Sequence, residues 1–154
     1  PAENIWGSAP KAVPSSTYPE GAKKLSAVIG IGGGPLLVRG GKFVNSYEYE
    51  LFNGTSGIGP DIDAPRTAIG VTGDNKMIFF VCEGRQKTEG VYGLTTADVA
   101  NIMIALGCVE AINLDGGGSS ALWSEETGVI NHPRDNRKFD HEGERSVPNL
   151  IAVY

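Results

Sequence analysis

Residues 94–120 read LTTADVANIMIALGCVEAINLDGGGSS, and three consecutive segments of this stretch decide the fold class. The first is a helix. Thr95 or Thr96 supplies the N-cap oxygen, Asp98 sits in the first turn, Val99, Ile102, Met103 and Leu106 recur at helical spacing, and Gly107 ends it. The second, VEAINLD, is a short strand. The third is an aspartate followed by three glycines and two serines. Glycine gives up more chain entropy on folding than any other residue, so a triplet is expected where backbone bends sharply or something must sit against it.

Upstream, RTAIGVTGDNKMIFFVCEG (66–84) is a hairpin: TAIGV and KMIFFV are β-type runs and GDN between them is turn chemistry. Because that turn lies at the far end, pairing brings Arg66 close to Glu83 and Arg85. Earlier still, LSAVIGIGGGPLLVRGGKFV (25–44) reads as two short strands around a glycine turn, with Gly40 and Gly41 opening a hairpin into Lys42, Phe43 and Val44. Residues 45–64 are a glycine-rich loop, and residues 1–24, with four of the nine prolines, are an irregular lead-in. Beyond the glycines, residues 124–145 form a broad charged loop and VPNLIAVY (147–154) a last strand. Strands outnumber helices and one strand–helix–strand crossover is present. The expected class is α+β with a mixed, mainly antiparallel sheet, in a single domain over residues 25–154.

Composition narrows the function. With 154 residues and 40% hydrophobic content the chain can bury a core. A net charge of −5 without a basic cluster argues against nucleic acid or an anionic membrane as partner. No run approaches the ~18 apolar residues of a helical membrane span, and the domain is expected to be soluble. Cys82 and Cys108 lie in apolar segments and read as reduced core thiols, a cross-strand disulfide being the alternative.

The loop at 115–120 admits several readings. It can be a plain tight turn capped by Asp115. A nucleotide P-loop is disfavoured because the lysine for the β- and γ-phosphates is missing. A nucleophile elbow around Ser119 or Ser120, with His132 or His141 as base, approximates G-x-S-x-G but lacks its last glycine. The remaining reading is a carboxylate, Asp115, beside an anion cradle made by converging backbone N–H groups. Arg66 and Arg85 favour it, since guanidinium forks clamp phosphate, and Glu83 with Asp115 offers two carboxylates for acid–base work.

PRTAIG (65–70), EGRQ (83–86), the helix, INLDGGGSSAL (112–122), NHPRD (131–135) and ERSVPNLIAV (144–153) occur in an order and spacing that resembles the phosphodiester glycosidase domain family. The resemblance runs from about residue 28 to the C-terminus. It implies hydrolysis of a sugar–phosphodiester bond at the anomeric carbon, with Asp115, Glu83, Arg66 and Arg85 as catalytic residues. Asn113, Gly116, Gly117, Gly118, Ser119, Ser120, Asn131 and Arg145 are then the expected substrate contacts. It also implies an exported protein acting on surface, envelope or lysosomal glycans. Two features depart from the family pattern. Glu83 stands where the family commonly has aspartate, and no Asn-Gly-Gly-Phe-Phe type element precedes the domain. The expectation is a domain lacking its N-terminal segment, with a separate chain or segment as a further partner.

No cofactor is expected. No zinc-type spacing exists; Asp115, Glu83 and Asn113 could form an oxygen-ligand site, but the chemistry does not require a metal. The rival from another class is a non-catalytic envelope module that binds sugar phosphate or polysaccharide. Trp6 and Trp123 are candidates for stacking on sugar rings or for ordinary packing, and the long loop at 124–145 for part of the substrate rim.

Overall fold

The computed structural model describes residues 28, 30–44, 46, 47, 50, 52 and 57–153. Its strands are β1 (Leu36–Arg39), β2 (Lys42–Phe43), β3 (Arg66–Thr72), β4 (Met77–Cys82), β5 (Cys108–Asn113), β6 (Trp123–Ser124) and β7 (Gly128–Val129), with a helix α1 (Thr96–Ala105) between β4 and β5. The first five strands make one sheet in the order β2-β1-β5-β3-β4, and every pairing in it is antiparallel. β4 and β5 flank β3 and therefore run the same way. The crossover through α1 joins them over the intervening strand, so the architecture is α+β.

Local chemistry explains the elements. β3 and β4 pair from Arg66 opposite Cys82 to Val71 opposite Met77. Their turn is closed by the Asn75 N–H on the Thr72 carbonyl at 3.0 Å, with Asn75 at φ +63. Asparagine tolerates that left-handed conformation better than most side chains. Helix α1 starts with a full capping box: the Thr95 hydroxyl accepts from the Asp98 N–H and the Asp98 carboxylate accepts from the Thr95 N–H. It ends at Leu106, with Gly107 at φ +86 just beyond.

One face of the sheet packs on α1. Leu37, Val38, Ala68, Ala111 and Cys108 meet Val99, Ala100 and Met103 there, with Ile78, Phe80, Leu94 and Ile104 around them. Leu106, which shares the apolar spacing, turns outward at the helix end and is 49% exposed.

Several expectations change. The last strand expected at 147–154 pairs with no strand over its described residues, 147–153, and Leu150 and Val153 are exposed. A strand exists only through a partner's backbone groups, which sequence pattern alone does not supply. The broad charged loop expected at 124–145 opens with the small β6–β7 hairpin, which begins at Trp123 opposite Val129. Cys82 and Cys108 are free. They lie opposite the two ends of β3, at Arg66 and Thr72, about 20 Å apart at ~3.3 Å per residue and far beyond disulfide reach. Among the described residues no helix is long and apolar enough to cross a membrane. The lead-in at 1–24 with Trp6, and most of the strand expected at 25–31, lie outside the described residues.

Candidate active site

The ends of β3 and β5 deliver the site. Ala68 pairs with Asn113, and one step on the Leu114 N–H donates to the Thr67 carbonyl at 2.8 Å. The chain then has to pass the β3 entrance, and the glycines let it do so closely. A Cβ on Gly116 would stand 2.8 Å from the Pro65 carbonyl oxygen. Gly117, at φ +63, lies under the Arg85 guanidinium. A methyl on Gly118 would fall inside the Asp135 carboxylate. Each glycine admits a different neighbour, two of them charged.

Arg85 is brought there by its own backbone. Gly84 is packed so that a Cβ would meet the Gly93 Cα and the Pro65 nitrogen at 2.7 Å. Arg85 follows at φ +60, unusual for a residue with a side chain. Its N–H donates to the Tyr92 carbonyl at 2.9 Å, and its carbonyl accepts from Arg134 Nε at 2.8 Å. Strain at such a position persists only where the surroundings over-determine it.

Asp115 is exposed, and both its oxygens are occupied: one accepts the Gly116 N–H at 2.9 Å, the other the Ser119 hydroxyl at 2.7 Å. Beside it opens a cavity of about 530 Å³. Asn113, Asp115, Gly116 and Gly117 form one wall, Arg66, Arg85 and Arg145 line it with positive charge, and residues 32–34 and Ile58 close it. Asn113 is buried, its amide donating to the Gly34 and Leu114 carbonyls at 2.9 and 2.8 Å, while its Oδ1 has no partner among the described residues.

The cavity thus brings together seven of the expected residues: Asp115, Arg66, Arg85, Asn113, Gly116, Gly117 and Arg145. One of the seven, and several of the other expected residues, are engaged elsewhere. Arg66 is 3% exposed, and its guanidinium donates to the carbonyls of Leu94, Ile58, Gly59 and Ile62 at 2.6–3.0 Å. Burial pushes its pKa below the usual arginine value. Most of its donors are spent on holding the 58–62 loop. Glu83 does not line the cavity; it accepts the His132 N–H at 2.9 Å and faces His132 Nδ1 at 2.8 Å. His132 stacks on Phe139 and leans on His141 at centroid distances of 4.0 and 4.3 Å. Asn131 braces two segments, donating to the Ser120 carbonyl and accepting the Leu122 N–H.

The cradle of backbone N–H groups takes a different form from the one expected. The amides of Gly116, Gly117, Ser119 and Ser120 donate to Asp115, Pro65, Gly116 and Gly117 respectively. These four amides are spent within the turn and on Pro65, and the positive charge at the cavity comes from the Arg66, Arg85 and Arg145 side chains. The nucleophile-elbow reading loses its base: the Ser119 hydroxyl donates to Asp115, and Ser120, 1% exposed, accepts from Thr67. The histidines are engaged by Glu83 and the Asn131 carbonyl. Burial pushes both thiols above the usual cysteine range, which disfavours the thiolate.

One residue escaped the sequence reading. Asp135 binds the Arg145 guanidinium twice, to Nε at 2.7 Å and Nη2 at 3.1 Å. Its only signal in the sequence is an acid inside NHPRD.

A family model described as phosphodiester glycosidase matches residues 7–154. The SPbeta prophage-derived protein YomE of Bacillus subtilis is 35% identical over 93 residues, 60% of this chain and 13% of that protein. Among solved structures, a hypothetical protein from Synechocystis is 31% identical with a TM-score of 0.56, over 67% of this chain and 18% of that one. The zebrafish N-acetylglucosamine-1-phosphodiester α-N-acetylglucosaminidase catalytic domain, auto-inhibited by its pro-peptide, is 27% identical with a TM-score of 0.56, over 68% of this chain and 34% of that one. The chain therefore spans about a third of the zebrafish domain's length and less of the other two.

Proposed function

Because the chain belongs to the phosphodiester glycosidase family, we propose that it hydrolyses a sugar 1-phosphodiester in the cavity beside Asp115. The observation that carries this reading is the pair of cavity-lining arginines, Arg85 and Arg145, next to a carboxylate held by two hydrogen bonds.

Glycoside cleavage passes through an oxocarbenium-like state in which positive charge grows at the anomeric carbon and negative charge on the leaving group. A phosphomonoester is already a good leaving group, so the larger gain comes from stabilising these charges. Arg85 and Arg145 hold the phosphodiester and take up the charge that develops on its departing oxygen. Asp115, oriented by the Gly116 N–H and the Ser119 hydroxyl, either activates the attacking water or stabilises the cation. Asn113 holds the cavity wall together, its amide donating to the Gly34 and Leu114 carbonyls. Glu83 acts at one remove by fixing the loop that carries His132. Arg66 keeps the cavity wall formed by Ile58 in place. The natural glycan is then one bearing sugar phosphodiesters, met outside the cytoplasm.

The test is hydrolysis of a UDP-sugar or an N-acetylglucosamine phosphodiester by the wild type and by Asp115→Asn. Turnover should fall by about 10²–10⁴-fold in the variant, the range for losing a positioned acid–base group. Equal turnover in the two would remove Asp115 from the chemistry. Saturable binding of the sugar phosphate with no product from the wild type would favour a non-catalytic binding module instead.

A further inference from the structure

We propose that Asp135 is the positioning residue that presents Arg145 to the phosphate, and that Gly118 lacks a side chain because the Asp135 carboxylate occupies that space. The proposal rests on the reading of the cavity as a sugar-phosphate site.

The geometry of the pair is specific. Asp135 engages Nε and Nη2 of Arg145 at 2.7 and 3.1 Å, the side-on fork of a carboxylate on a guanidinium. That choice of edge leaves Nη1 for the cavity, which Arg145 lines. Both backbones are tied down: the Asp135 N–H donates to the Gly143 carbonyl and the Arg145 N–H to the Gly118 carbonyl, each at 3.0 Å. The Arg145 main chain is thus strapped to the glycine turn, and its side chain returns over the same turn to Asp135. The Asp135 carboxyl is held below the usual carboxylate range, chiefly by the Arg145 hydrogen bond and also by the charges of Arg145 and Arg85, so it lies in the field of both cavity arginines.

Stability does not account for this arrangement. The side chains of Arg145 and Asp135 are 50% and 39% exposed, and ion pairs that open to water add little to folding. Yet the third glycine of the triplet leaves room for the carboxylate. What the pair achieves is orientation. A free arginine loses rotamer entropy each time it binds phosphate, and one already forked onto a carboxylate has lost it beforehand.

Three roles for Asp135 predict different signs. If it served only as a background negative charge, Asp135→Asn would bind anions more tightly. If it served only the fold, the variant would melt earlier and bind weakly whatever stands at 145. A positioning role predicts weaker binding that depends on Arg145. The experiment is calorimetric titration of the protein with inorganic phosphate and with N-acetylglucosamine 1-phosphate, on wild type, Asp135→Asn, Arg145→Ala and the double variant, with thermal melts alongside. The expected result is about tenfold weaker binding in Asp135→Asn, with no further loss when it is added to Arg145→Ala, and a near-unchanged melting temperature. Unchanged or tighter binding in Asp135→Asn, or losses that multiply in the double variant, would overturn the proposal while leaving the phosphate site standing. If the wild type bound neither probe, the sugar-phosphate reading would fall and the positioning role with it.

Discussion

Two glycine turns in this chain look alike on paper and differ in what they are for. Gly40 and Gly41 join β1 to β2 at φ +58 and +72, and a Cβ on either would meet nothing within 4 Å. They are glycine for the bend alone. At 116–118 the surroundings dominate: a backbone carbonyl against Gly116, a guanidinium against Gly117, a carboxylate against Gly118. Only Gly117 also has a left-handed φ. Glycine therefore serves conformation in one turn and proximity in the other, and the second turn is where the charged groups of the cavity gather.

The difference predicts a graded alanine series, and Gly118→Ala should have the largest effect. Its methyl must displace the Asp135 carboxylate, and Arg145 moves with it. Because that carboxylate ends an exposed side chain free to swing away, the fold should tolerate the change with little loss of melting temperature. Affinity for N-acetylglucosamine 1-phosphate should fall about 100-fold, the worth of a hydrogen bond to a charged group. Wild-type affinity in Gly118→Ala would show that the two turns are the same kind of object after all. Gly116→Ala inverts the pattern. Its obstacle is the Pro65 carbonyl, which belongs to the backbone and already accepts the Gly117 N–H at 3.1 Å. It cannot swing away, and the variant should lose about 2 kcal/mol in denaturant unfolding, an overpacking cost. A loss near zero would mean that the β3 entrance is looser than this packing implies.

The two turns also mark what could be read from the chain. Gly40–Gly41, the Gly73–Asn75 turn and the Thr95 cap depend on neighbours within a few residues, and the sequence made them legible. The site was legible in part, since Asp115, Arg85 and Asn113 sit on the ends of readable elements. The fate of Arg66 was not: its carbonyl acceptors come from Leu94 and from the 58–62 loop, which carries no strong pattern. Glu83 looked like a second catalytic carboxylate because its partner His132 lies 49 residues away. Asp135 was hidden because its meaning comes from Gly118 and Arg145 together. The segment at 147–154 erred the other way, its β-pattern real and its pairing partner absent among the described residues.

Gly41→Ala is the smaller member of the series. With open space around the Cβ, its cost is the left-handed backbone alone, about 1–2 kcal/mol for a residue with a side chain. Sugar-phosphate affinity should not change, because Gly41 lies beside Val109 near the start of β5, away from the Asn113 end that carries the cavity. A loss of affinity at this position would erase the distinction between a turn made for bending and one made for contact.

The smallest effect expected is on the pH dependence of stability, and its sign follows from the charge at the second turn. Arg145 hydrogen-bonds the ionised form of Asp135, so the folded-state pKa lies below the unfolded one. A depressed carboxylate contributes stability that is present above the unfolded value and is lost as the pH falls through the folded value. From neutrality down to the ordinary carboxylate range the pair is intact, and acidification below that range releases it. Asp74, Asp98 and Asp140 are depressed as well, by Lys76, Thr95 and Asn136 respectively, so the whole protein loses stability over the same acid limb. Subtracting the melting curve of Asp135→Asn from that of the wild type isolates one pair among four. The difference should be small and flat at neutral pH and should close as the solution is acidified below the carboxylate range. A difference that widened on acidification would mean that Asp135 is bound as the neutral acid, and the seat at Gly118 would then hold a hydrogen-bond donor where the present geometry has a counter-ion for Arg145.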